Sequence, residues 1–307
     1  MTKTSRKGVR QSHGAYQKLC GLLGADVGQQ RKVQRAAAIP TGVPSLDFCL
    51  NGGLPAGLVE VYGEESVGKT AFVAQVIKAA ESKKMTALVA SESCEVDYLR
   101  QLGVNLGSLF LIQGIDARTT LNAAIDFVTR ADDRLLIIDT LSALHGSYSH
   151  EDWAGIKWQF FEEVSQVLTS SSCVLIISQV RHVKNPGCRG YFDGVVSESR
   201  RFSDLFSASL EFSRDEVSVT DYELEILVHS NAYSLPSQVV RVPVVKGHGI
   251  QVDIDRLRLA VKLGVLTQVG AWYTTHAGTR LGPGAEKAAD QFRVDRARKQ
   301  MEDALCS

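Results

Sequence analysis

The run 58-LVEVYGEESVGKTAFVAQVIKAA-80 constrains the fold more than any other part of the chain. A short apolar segment, LVEVY, meets a glycine-rich loop and passes into a helical pattern with Phe72, Val73, Val76, Ile77 and Ala80 on one face. Gly63, Glu64, Glu65, Ser66, Val67, Gly68, Lys69 and Thr70 satisfy G-x-x-x-x-G-K-(S/T) in full, in the strand-to-helix setting the motif needs. Glycines let backbone N–H groups curl around phosphate oxygens, and a helix N-terminus adds favourable partial charge. In such a loop Lys69 reaches the β- and γ-phosphates and the Thr70 hydroxyl binds Mg²⁺. ATP and Mg²⁺ are the expected cofactors.

The surrounding pattern is α/β. MTALVAS (85–91), LLIID (135–139) and CVLIIS (173–178) read as buried strands. They alternate with helical stripes at 94–103, at Leu121, Ala124, Ile125 and Val128, and at Trp153, Ile156, Phe160, Val164 and Leu168. Fully apolar strands between amphipathic helices imply a mostly parallel central sheet covered on both faces. Three further strands, 206–213, 223–230 and 238–245, are joined by short turns and imply an antiparallel extension, with Pro243 near an edge. A short helix at Gln17–Leu23 and a strand within 31–40 precede the core, and a small α+β module follows 247-GHG-249. The expected domains are a basic N-terminal segment (1–39), a phosphate-loop core (40–250) and a small C-terminal domain (251–307).

At 307 residues and 44% apolar composition the chain can bury a sizeable core. No apolar run approaches the ~18–20 residues of a membrane helix, so no membrane partner is expected. The six cysteines are scattered without a Cys-x-x-Cys pair, which excludes a zinc ribbon and points to reduced thiols in a cytoplasm. Net charge is zero, against a uniformly basic nucleic-acid binder, but residues 1–35 carry eight basic groups against one acid, Asp26. That segment is either a solvated tail or a docking element for DNA or a neighbouring subunit.

Asp139 ends the strand LLIID, where an acid orients Mg²⁺ and its waters. Glu92 stands at the carboxyl end of 85–91, the sheet edge on which ligands bind, and can polarise a water attacking the γ-phosphate; Glu95 and Asp97 are rivals. Gln179 closes the strand at 173–178, either as a γ-phosphate sensor or as a polar strand cap. The stretch 182-HVKNPGCRGYFDGVVSESRR-201 is too long and Gly/Ser-rich for idle connection. Its Lys184, Arg189, Arg200 and Arg201 suit phosphates, and Tyr191 and Phe192 suit bases.

Together these pieces resemble the bacterial RecA recombinases. The likeness runs through 45-SLDFCLNGGLPAGLVEVYGEESVGKT-70, ASES with Glu92, YLRQLGV, LLIIDTLSAL, LIISQVR and 263-LGVLTQVGAWYTTHAGTRLGPG-284. The last element is the discriminating one, since phosphate loops are shared by many ATPases whereas Gly-Ala-Trp-Tyr belongs to RecA's C-terminal module. The resemblance implies an α/β RecA-like P-loop ATPase core, with a small N-terminal helix/strand segment and a small α+β C-terminal domain. It implies a DNA-dependent ATPase that forms a filament of its own copies on single-stranded DNA and exchanges strands with a homologous double-stranded DNA. By position, Glu92 is similar to the water-activating glutamate and Tyr98 to the aromatic that stacks on adenine. Gln179 is similar to the switch coupling γ-phosphate to the second DNA loop, and Arg181 fits the start of that loop. The first DNA loop is expected over 145-HGSYSHEDWAG-155.

Two departures stand out. Where RecA carries two lysines that reach a neighbour's ATP, this chain has His229 and Asn231, which implies weak turnover or a replacement cation from Arg241 or Lys246. The acidic C-terminal tail common in RecA is missing. Rival readings are a RecA-core hexameric helicase and an ATP-switched filament or mediator protein with little hydrolysis.

Overall fold

The structure, a computed structural model, describes residues 38–90, 93–114, 116–183, 194–197, 200–231 and 238–294. The expected helix at Gln17–Leu23 lies outside these residues, as do Glu92, Lys184, Arg189, Tyr191 and Phe192. Of the strand sought at 31–40, Ile39 is described and bridges Leu54.

The core follows the chain as α1 (Pro44–Cys49), β1 (Gly57–Gly63), α2 (Lys69–Ala80), β2 (Met85–Ala90), α3 (Ser93–Gln101), β3 (Leu109–Ile112) and α4 (Ala117–Thr129). It continues with β4 (Arg134–Asp139), α5 (His150–Val167), β5 (Cys173–Val183), β6 (Gly194–Ser197), β7 (Phe206–Glu216), β8 (Asp221–Asn231), β9 (Gln238–Val245) and β10 (Gly249–Ile250). One sheet results, in the order β10-β9-β8-β7-β1-β5-β4-β2-β3, with β6 paired to the outer part of β5.

From β3 to β7 every neighbouring pair on this path is parallel, and β7, β8, β9 and β10 pair antiparallel. Residues 206–213 were expected to open the antiparallel extension. β7 does so by pairing antiparallel with β8, and it joins the rest of the sheet through a parallel pairing with β1. Pro243 lies just short of the two β9 residues that β10 covers, Val244 and Val245, a near-edge position consistent with its missing N–H.

Both faces of the sheet are dry. On one, Val59, Val61, Leu210 and Phe212 pack against Phe72 and Val76 of α2; on the other, Val89, Leu136 and Ile138 meet Trp153, Phe160 and Phe161 of α5. This two-sided burial is why the central strands read as continuous apolar runs. No helix among the described residues is long and apolar enough to cross a membrane.

The chain then forms α6 (Val252–Lys262), a three-stranded sheet of β11 (Leu266–Val269), β12 (Trp272–Thr275) and β13 (Arg280–Pro283), and α7 (Ala285–Val294). Leu257, Leu266, Tyr273 and Phe292 form its own apolar cluster. It is tied back at α1, where the Ser45 amide and hydroxyl donate to the Asp255 carboxylate at 2.9 and 2.5 Å. Asp255 is 1% exposed, and burial raises its pKa.

The first loop differs from its expected extent. α5 begins at His150, with the Ser149 hydroxyl accepting from the Asp152 amide at 3.1 Å. Trp153 is buried on the first turn, so 150–155 belongs to a helix and not to a loop. The Ser-x-x-Asp cap explains the early start.

Candidate nucleotide site

β1 delivers the phosphate loop to the carboxyl edge of the sheet. Gly63 pairs with Gln179 of β5 on one side and Phe212 of β7 on the other. A Cβ at Gly63 would stand 2.3 Å from the Phe212 carbonyl oxygen, so the first glycine of the motif also serves strand packing. Ser66 (φ 59°) and Gly68 (φ 110°) adopt left-handed backbone, which turns the loop back onto the start of α2.

Lys69 is buried and donates to the carbonyls of Gly63 and Glu64 at 2.7 and 2.6 Å. Burial lowers its pKa, while Asp139, Glu65 and Glu64 oppose the shift. Thr70 donates from Oγ1 to Asp139 Oδ2 at 3.2 Å. Asp139, 3% exposed, has its pKa pushed up to about 6 by burial, with the Thr70 hydroxyl and the Lys69 charge pulling it down. Hydroxyl and carboxylate oxygens converging beside a lysine form a donor set suited to a hard, oxygen-seeking cation. Ala90 of β2 pairs in register with Asp139, so Glu92 follows a strand that ends level with this pair, although Glu92 itself lies outside the described residues.

A cleft of about 490 Å³ opens over the loop, lined by Ser66, Gly68, Lys69, Thr70, Tyr98 and, from the far end of the chain, Arg214, Tyr222, Lys246 and Gly247. Its size suits a small-molecule ligand. Tyr98 of α3 is half-buried at this cleft. Tyr222 opens β8, and its hydroxyl would stand 2.8 Å from a Cβ at Gly68. Lys246 donates to the Val219 carbonyl at 2.9 Å and pairs with Glu216 at 3.4 Å. No motif announces this wall, because its residues come from strand ends far from the phosphate loop. Lys246 was considered only as a cation for a neighbour's site, whereas it lines the chain's own cleft.

Gln179 lies on β5 beside Gly63, and β5 continues five residues beyond the expected Ser178 end into a hairpin with β6, Arg181 pairing with Val196. Lys184 and Arg189 follow the end of this strand in sequence and lie outside the described residues. Arg200 and Arg201 fall in a short 3-10 helix, Arg200–Leu205. On the opposite flank, His229 sits 2.5 Å from Glu211 Oε2 and stacks on Tyr62 with ring centroids 5.9 Å apart. Arg241 donates to Glu225 at 2.8 Å. Asn231 ends β8 opposite Ala208.

Sheet order, phosphate loop and cleft define a P-loop nucleotide-binding protein. Residues 21–153 match the RecA N-terminal domain model. Protein RecA of Geobacter sulfurreducens is 29% identical, over 94% of this chain and 90% of the relative; that of Azospirillum lipoferum is 27% identical, over 91% and 81%. A crystal structure of the RadB recombinase shares the fold at 19% identity with a TM-score of 0.52, over 69% of this chain and 98% of that one. The chain is similar to RecA proteins over nearly its whole length, and its fold is shared with a recombinase of that kind.

Proposed function

We propose that the chain is an ATP-dependent DNA recombinase that assembles on single-stranded DNA and pairs it with a homologous duplex. One observation carries the reading. Lys69, Thr70, Asp139 and Gln179 gather at the carboxyl edge of one parallel sheet, in a chain whose RecA relatives match nearly its whole length.

The nucleotide is ATP, with its triphosphate along Gly63 to Thr70. Lys69 exchanges the Gly63 and Glu64 carbonyls for β- and γ-phosphate oxygens. Thr70 and Asp139 would hold Mg²⁺, which would supply positive charge to offset that of the β- and γ-phosphates. Glu92 accepts a proton from the attacking water. Tyr98 packs on the base. Gln179 hydrogen-bonds near the γ-phosphate, and because its strand also carries Arg181 and precedes Lys184 and Arg189 in the chain, its position is linked to DNA contacts there and at Arg200 and Arg201. The membrane-free, cytoplasmic setting expected from the sequence fits this work.

Turnover is weak by the standard of RecA. His229 and Asn231 stand at the boundary positions, Arg241 is engaged by Glu225, and Lys246 faces its own cleft. The test is ATP hydrolysis with and without single-stranded DNA. DNA-stimulated hydrolysis that Glu92→Gln abolishes supports the reading, and hydrolysis indifferent to DNA contradicts it.

A further inference from the structure

Arg214 is a surface residue by sequence, near the end of β7 and 148 positions beyond the loop it touches. Its guanidinium is used on three sides. One nitrogen donates to the Ser66 carbonyl at 2.7 Å, another pairs with Glu216 at 2.9 Å, and the carbon stands 5.6 Å from the centre of the Tyr222 ring. Only 32% of the side chain is exposed. A planar fork can meet a carbonyl, a carboxylate and a ring together, which a lysine cannot.

The Ser66 carbonyl matters because Ser66 is a left-handed residue of the phosphate loop, a conformation disfavoured for a residue with a Cβ. In a planar trans peptide the carbonyl and the next N–H point in opposite directions. With the Ser66 carbonyl drawn to Arg214, the Val67 N–H faces the other side of the loop. Tyr222, under the same guanidinium, abuts Gly68, the loop's second left-handed residue. Arg214 therefore touches both the loop's turn and the wall closing the cleft.

We infer that Arg214 is a positioning residue of the nucleotide site: it fixes the Ser66–Val67 peptide so that the Val67 N–H donates to phosphate, and it seats Tyr222 against Gly68. The inference rests on the nucleotide reading above. It predicts an effect on affinity and little on chemistry, since Arg214 acts through the loop.

The test is ATP affinity by a fluorescent ATP analogue, with steady-state ATPase kinetics and thermal melting, on the full chain. Losing a charge-assisted hydrogen bond typically costs about 1.5–3 kcal/mol, so Arg214→Ala should weaken binding and raise KM roughly tenfold or more. Its kcat should stay within about threefold and its nucleotide-free melting temperature within a few degrees, about the effect of one surface substitution. Arg214→Lys keeps the charge without the fork and should restore only part of the affinity. Glu216→Gln, which frees one arm, should weaken binding about threefold, a loss of under 1 kcal/mol. Affinity within twofold of wild type in both Arg214→Ala and Glu216→Gln overturns the inference, as does a fall in kcat at unchanged KM. Wild-type protein that binds no ATP would sink the nucleotide reading instead, and the two failures are distinguishable.

Discussion

Lys69 and Asp139 show how much of this site is legible one residue at a time. Eight consecutive positions announce Lys69 and Thr70, and an acid ending an apolar strand announces Asp139. Arg214, Tyr222 and Lys246 leave no such trace, because contact across 148 residues depends on which strands become neighbours. Lys69→Ala should lower kcat by at least about a hundredfold, the scale of losing a preorganised transition-state cation, with little change in melting temperature; steady-state kinetics and thermal unfolding check both. Asp47 offers a test away from the chemistry. It accepts from the Thr41 amide and hydroxyl at 2.7 and 2.8 Å, yet burial pushes its pKa up to about 6 from 3.8. The proton it gains on folding stabilises the protein fully below 3.8, and that contribution is lost as pH rises through about 6. Asp47→Asn removes this half-buried charge and keeps an acceptor. Its stability over wild type should be absent near pH 4 and grow to at most about 3 kcal/mol by pH 7.5. Equal melting temperatures across that range would contradict this account.

At the scale of elements, periodicity located the central strands β1, β2, β4 and β5 and the helices α2 to α5, because strands buried on both faces and helices buried on one leave different patterns. It failed where tertiary pairing decides. β5 outruns its apolar run because β6 folds back on Val180–Val183, and β3 exists because Leu109–Ile112 pairs with β2. The Ser149 cap, not apolar spacing, sets the start of α5. The contact between β1 and β7 is the tightest test of the site's frame. Gly63→Ala would push a Cβ into the Phe212 carbonyl, and overpacking of this kind costs about 1–3 kcal/mol. Phe212→Ala, which removes the edge-on contact with Phe72 at 5.2 Å, should cost about 3–5 kcal/mol. Denaturant midpoints read both. A silent Gly63→Ala would mean that β1 and β7 do not pair as described.

For the whole molecule, the likeness to RecA was legible because the motif set spans the core and the distant Gly-Ala-Trp-Tyr module. Strand order was not, since apolar runs carry no information on which neighbour each will take. The departures at His229 and Asn231 also belong to this scale, because the resemblance to RecA implies a boundary between copies there. Arg241→Ala should leave DNA-stimulated ATPase within about twofold, as its charge is already met by Glu225 on a water-exposed face. DNA binding should weaken steeply between 50 and 200 mM salt, as counterions return to phosphates. The most direct measurement is strand exchange: single-stranded DNA, a homologous duplex, ATP and Mg²⁺, followed by gel for joint molecules and displaced strand. The account predicts products that require ATP and homology and vanish in Lys69→Ala. Unwinding of a duplex regardless of homology, or DNA-bound assemblies that never pair, would contradict it.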